Sequence, residues 1–188
     1  MTEPTRVAGW GNLADGSHVT WTVAVGRRGR RWREVVIGGP TAGQAVLLET
    51  APDGRFSHIE LARPDGLWTF HPEGDGTLHG NHVGGAEPGV RHIAGWAFGP
   101  RDVLLVEGST VSAAAIAWVH RDALGPGTSV TVAGVVIGLD GSLTPNGTIP
   151  IERLDERQWS IGQGTPIEID HDGLPILEPG GRAPLEAG

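Results

Sequence analysis

Apolar and polar residues alternate with a period of two through most of this chain, in runs of four to nine residues bounded by Gly, Pro and Asp. That is the pattern of strands with one buried face and one wet face. His18–Val25 sets Val19, Trp21, Val23 and Val25 on one face, and Trp32–Ile37 sets Trp32, Glu34 and Val36 on one face. Ala45–Thr50, Arg55–Ala62 and Leu67–His71 follow, separated by Pro52-Asp53-Gly54 and Pro64-Asp65-Gly66, where glycine suits tight hairpin turns. Pro72–Gly89 reads as the longest irregular stretch. Val90–Phe98 resumes the alternation, with Val90, His92, Ala94, Trp96 and Phe98 on one face. Asp102–Val106, Ser129–Leu139, Gly147–Leu154, Ile167–Asp170 and Pro175–Leu177 are the later strands.

One segment departs from this period. Ser112–Leu124 opens on a serine suited to capping, continues Ala113-Ala114-Ala115-Ile116, and stops at Gly125-Pro126-Gly127, which predicts a helix capped by Ser112. Together the elements predict a mainly β fold: a curved antiparallel sheet forming a closed or half-closed β-barrel with one helix against it. No linker divides the chain, so a single barrel-like domain is expected over 1–177. From Glu178 onward Pro, Gly and Glu dominate, and 178–188 reads as a flexible C-terminal tail.

Composition narrows the chemistry. The 188 residues carry a net charge of −8, with 7 Trp, 8 His, 31 Gly and 14 Pro, but no Cys, no Tyr and no Lys; all 14 basic residues are Arg. Disulfides, thiolate nucleophiles, Cys-held zinc, Schiff-base lysines and P-loop lysines are therefore excluded. No GxSxG, GxGxxG, Walker A or HExxH pattern occurs, and the expectation is of no cofactor and no metal. The N-terminal residues hold no apolar signal-like core and no run approaches 18 apolar residues, so a cytoplasmic protein without a membrane span is expected. Abundant Ala, Gly, Arg and Pro beside missing Lys suggest a GC-rich bacterial source.

Three groups of polar residues stand out. Arg27, Arg28, Arg30, Arg31 and Arg33 form a basic run, but it lies at a hairpin tip in an acidic chain. It reads as a solvated loop, available for a homodimer contact, rather than a nucleic-acid site. His71, Glu73, Asp75, His79 and His82 cluster in a Gly-rich segment with no helix to hold ligands at fixed spacing, and read as structural or surface groups. The third group lies on strands. His92 shares a face with Trp96 and Phe98, Glu34 with Trp32, and His58 with Glu60 and Phe56. Polar groups on an apolar wall are the composition of a small-molecule pocket, where desolvation shifts their pKa values. The alternative is that these polar faces are simply outside.

Two resemblances bear on this. Thr20-Trp21-Thr22-Val23, Trp32-Arg33-Glu34-Val35-Val36, Leu67-Trp68, Asp102-Val103-Leu104-Leu105, Gly127-Thr128-Ser129-Val130-Thr131-Val132 and Glu152-Arg153-Leu154 occur in that order. Over roughly 20–155 this resembles a family of bacterial glycolipid-binding proteins, and implies a curved sheet around an apolar cavity. The chain departs from that family at Ala113-Ala114-Ala115-Ile116, where an Asn-Thr-Leu-Pro-Ile-Arg-Arg-type run would be expected. Gly89-Val90-Arg91-His92-Ile93-Ala94-Gly95-Trp96-Ala97 looks like a strand of the allene oxide cyclase-like β-barrel cyclases, some of which close rings in polyketide biosynthesis.

The functional expectation is a cofactor-independent cyclase or isomerase that folds a hydrophobic, polyketide-like substrate inside a barrel cavity. His92 and Glu34 would be its catalytic groups, moving a proton or polarising a carbonyl. Trp32, Trp68, Trp96, Phe98, His58 and Glu60 would bind substrate. The alternative is a non-catalytic lipid or glycolipid carrier. The partner in either case is a hydrophobic small molecule. A uniformly apolar cavity favours the carrier, whereas an unpaired His or carboxylate facing the cavity favours the cyclase.

Overall fold

The computed structural model describes residues 5–13, 15–39, 41–84, 89–138 and 142–184. In chain order these form β1 (Thr5–Asn12), β2 (His18–Gly26), β3 (Gly29–Ile37), β4 (Ala45–Thr50), β5 (Phe56–Arg63), β6 (Gly66–Pro72), β7 (Thr77–Gly84), β8 (Val90–Ala97) and β9 (Val103–Val106). Then come α1 (Thr110–His120), β10 (Thr128–Ile137), β11 (Leu143–Arg153), β12 (Gln158–Ile161), β13 (Ile167–Ile169), β14 (Pro175–Ile176) and β15 (Gly180–Pro184). The mainly β class with one helix follows directly.

Two sheets result. The first has nine antiparallel strands in the order β15-β1-β2-β3-β4-β5-β6-β7-β8, and the second is a curled half-barrel of six in the order β14-β13-β12-β11-β10-β9. Each keeps two edges, so the barrel is half-closed. One pair is parallel: β9 beside β10, joined through α1, a strand–helix–strand crossover within an otherwise antiparallel design.

The helix sits between the sheets. It contacts β3 and β4 of the first and β9, β12, β13 and β14 of the second. All eight residues from Thr110 to Ala117 are buried, as a helix apolar on every side requires. Its small Ala113-Ala114-Ala115 surface lets both sheets approach closely, and Trp21, Trp32 and Trp159 are the largest side chains fully buried in the same core. The cap is Ser109 rather than Ser112: Ser109 Oγ accepts the Ser112 N–H at 3.2 Å. Ser112 instead faces β9, where its hydroxyl accepts from the Val106 amide at 2.9 Å and donates to the Leu104 carbonyl at 3.2 Å.

Several boundaries differ from the sequence pattern. The arginine run is mostly strand: only Arg27 and Arg28 form the turn, and β3 begins at Gly29. Glycine is needed there because φ is +112° and a Cβ would fall 1.9 Å from the Thr50 carbonyl oxygen. The stretch after Pro72 is not irregular, since Thr77–Gly84 pairs with β6 and β8; positions 85–88 lie outside the described residues. Its Gly and His residues hide the alternation. Gly180–Pro184, expected within a flexible tail, forms β15 against β1 from Val7 to Gly11; residues 185–188 lie outside the described residues. Backbone hydrogen bonds there need no apolar side chains, so composition did not announce the strand.

Two β-bulges matter most for the candidate residues. The β4–β5 register shifts between Glu49 and Thr50, which pair with His58 and Phe56. The β7–β8 register shifts between Leu78 and Gly80, which pair with Trp96 and Ile93. An extra residue in one strand reverses the in–out alternation beyond it.

Candidate functional site

The bulges redistribute the predicted site. In β5, Phe56, Ile59 and Leu61 point into the core, so His58 and Glu60 face outward and pair with each other at 2.9 Å. In β8, Ile93 and Trp96 pack against the core and His92 is exposed. His92 therefore does not share a face with Trp96, contrary to simple alternation. Trp32, Trp68 and Phe98 do point inward and are buried in the hydrophobic core. Trp68 is stacked on His82 with ring centroids 4.2 Å apart.

Glu34 is the predicted residue with the most unusual surroundings. It is fully buried on β3 against the start of α1, where Oε2 accepts the Val111 amide at 3.0 Å. Oε1 has no hydrogen-bond partner. Burial pushes the carboxyl up to about 7; the Val111 amide and the nearby Ser109 and Thr110 hydroxyls act in the opposite direction without cancelling it. Glu34 is thus a carboxyl close to half-protonated at neutral pH, one layer behind Ser109 and Thr110.

Those two residues lead to the open space. A cleft of about 670 Å³ lies between the N-terminal end of α1 and the six-stranded sheet. Its apolar wall includes Leu105 of β9, Ala113 of α1, Val136 of β10, Ile149 of β11, Ile161 of β12 and Ile176 of β14. Polar groups are supplied by Ser109, Thr110, Gln158, Gln163, Thr165 and Glu107, with Asn12 and Asp15 from the first sheet's end. The size is that of a small-ligand site, and the lining mixes aliphatic side chains with many polar ones. None of His92, Glu34, His58, Glu60, Trp32, Trp68, Trp96 or Phe98 lines it.

Alternation alone could not find this cleft, because its residues come from eight elements distant in sequence. One signal was available: Glu107-Gly108-Ser109-Thr110 follows the carboxyl end of a strand and opens the helix, the place where crossover units commonly bind ligands.

The helix start is not a free anion site. Ser109 Oγ engages the Ser112 amide, Glu34 engages the Val111 amide, and the Ser109 carbonyl accepts from Ala113. Metal ligation has one candidate among the described residues, the group of half-buried Asp170 with exposed His171 and Asp172. It is better explained as a turn: Asp170 Oδ1 accepts the Asp172 and Leu174 amides at 2.9 and 2.8 Å, and its other oxygen is bound by Arg182. His71 and Glu73, from the His-rich segment, pair with each other at 2.8 Å. No helix among the described residues is long and apolar enough to cross a membrane.

Comparisons with known proteins add little. No protein-family model matches the chain, and no curated protein does. Among solved structures, the chain is similar to a DUF1089 family protein from Pseudomonas aeruginosa, with a TM-score of 0.44 and 13% identity over 95% of this chain and 90% of that one.

Proposed function

We propose that the protein binds a small amphiphile non-covalently in the cleft beside the start of α1 and releases it unchanged. The observation that carries this reading is the cleft itself, whose wall is built from aliphatic side chains of the six-stranded sheet. An alkyl chain lying on Leu105, Ile149, Ile161 and Ile176 leaves water at roughly 25 cal/mol per Å² of apolar surface, enough for useful affinity without any covalent step. The polar groups at the cleft's other side would receive the head group. His92 and Glu34, the groups expected to do proton chemistry, do not lie on this wall; the carboxylates that do, Asp15, Glu107, Glu168 and Glu178, suit conversion as well as carriage.

The cyclase reading keeps a further support behind the wall. Glu34 is held near neutrality directly behind Ser109 and Thr110, and a carboxyl with that pKa suits proton transfer at neutral pH. It would act only through those hydroxyls, since it does not itself line the cleft.

Native mass spectrometry of freshly purified protein separates the readings. A binder gives a one-to-one non-covalent adduct whose small molecule is recovered chemically intact, and single-chain amphiphiles raise its melting temperature saturably. Conversion of an added linear precursor to a ring, above the rate in protein-free buffer, would favour the cyclase. Absence of any adduct or thermal shift across amphiphiles of different head group would overturn the binding reading.

A further inference from the structure

The charge of the cleft lining identifies the head group, an inference that rests on the binding reading above. We propose that the cleft selects a cationic amphiphile, a single-chain molecule whose ammonium end lies among the carboxylates of the lining.

Among the described residues, no Arg or His lines the cleft, whereas Asp15, Glu107, Glu168 and Glu178 do. These carboxylates come from four separate places: the β1–β2 connection, the loop before α1, strand β13 and the segment after β14. Arg157 offsets Glu168 at 3.5 Å, and Asp15 Oδ1 already accepts the Ser17 amide at 2.9 Å. Glu107 and Glu178 have no ion-pair partner among the described residues.

The Val111 and Ser112 amides at the start of α1, which an anionic head would otherwise use, are held by Glu34 and Ser109. Behind the wall, the unpartnered Oε1 of Glu34 adds another acceptor and no donor while ionised. An anion would meet like charge, an uncharged head would meet a few amides and hydroxyls, and a cation would meet opposite charge beside an apolar surface, where attraction is stronger than in bulk water. The whole chain, at net −8, attracts the same class of ligand.

Dodecyltrimethylammonium, dodecyl maltoside and dodecanoate share one chain length and differ in head charge. Each is titrated into the full chain by calorimetry below its micelle-forming concentration. The ammonium compound is expected to bind one-to-one and about tenfold more tightly than the maltoside, with dodecanoate weakest, and added salt should narrow the difference. The variant Glu107→Gln/Glu178→Gln, changed at two exposed positions, should bring the ammonium value towards that of the maltoside. Maltoside or dodecanoate binding as tightly as the ammonium, or a preference untouched by the double substitution, overturns the cationic assignment and leaves the binding reading standing. Binding by none of the three overturns both.

Discussion

The Glu34 carboxylate accepts the Val111 amide at 3.0 Å across 77 positions of sequence, joining the third strand of the large sheet to the first turn of the helix. The contact does two things. It satisfies one of the donors that every helix start leaves open, and it places an ionisable group where no water reaches it.

The pH dependence follows in sign. The Glu34 carboxyl is raised from an ordinary value of 4.5 to about 7 on folding, chiefly by burial. Between those values the folded chain holds a proton that the unfolded chain has released, so stability falls as pH rises through this window and is level on either side. The difference amounts to about 3 kcal/mol at the upper end, from roughly 1.4 kcal/mol per tenfold shift. Glu34→Gln should remove that slope, leaving a variant whose stability relative to the parent increases from pH 5 to pH 8. Parallel urea curves at both pH values check it, and an unchanged difference would contradict the buried ionisation.

Glu34→Ala should behave differently from Glu34→Gln. Alanine strands the Val111 amide and leaves a void beside Ser109, and a loss of about 2–4 kcal/mol is expected at pH 5, where the glutamate is neutral. Gln retains an oxygen for the amide and should lose about 1 kcal/mol or less at that pH. Equal losses would mean that the contact contributes little.

Gly9 lies opposite Trp21 across the first two strands, and a Cβ there would stand 2.2 Å from the indole ring. Trp21 is itself buried and cannot retreat. Gly9→Ala should therefore cost about 1–3 kcal/mol by overpacking, while Gly26→Ala, with nothing within 4 Å, should stay within about 1 kcal/mol of the parent. Chemical denaturation of the pair checks the contrast.

Arg30 lies with its guanidinium carbon 3.4 Å from the Trp118 ring centre and donates to the Asp172 carbonyl at 2.6 Å. Burial, with Arg121 nearby, lowers its pKa to about 10, still charged at neutral pH. Arg30→Lys loses the planar stack and the fork of donors, and should cost about 1 kcal/mol, whereas exposed Arg28→Ala should change stability by less than about 0.5 kcal/mol. Thermal unfolding distinguishes them. Equal effects would return the whole run to the solvated loop that the sequence suggested.

A tryptophan placed in the cleft tests its use. Ile176 is half-buried on the short edge strand and lines the wall, so Ile176→Trp should occupy the space while sparing the fully buried core. Amphiphile affinity should fall by at least about tenfold. His92→Ala, on the exposed side of β8, should leave affinity unchanged. The reverse result would move the site to the large sheet.

Alternation carried the sequence reading a long way, and its failures share a cause. Val19, Trp21, Trp32, Val36, Val46 and Leu48 all face the core as their period requires. Glu34 was correctly placed among them, although its tie to Val111 depends on a tertiary contact that no local pattern records. His58, Glu60 and His92 were assigned by continuing the period across a bulge, which costs one residue of register and turns a wall residue into a surface residue. The cleft was invisible for another reason. Leu105, Ile149, Ile161 and Ile176 each read as ordinary strand residues, and only the curl of the second sheet brings them around one space.

The most direct measurement is a methyl NMR titration of the full chain with dodecyltrimethylammonium. Binding in the cleft predicts saturable one-to-one shifts concentrated on the methyl groups of Leu105, Val136, Ile149, Ile161 and Ile176. Shifts centred instead on Val83 and Val90 at the far edge of the large sheet, or no saturable shift at all, would contradict the account.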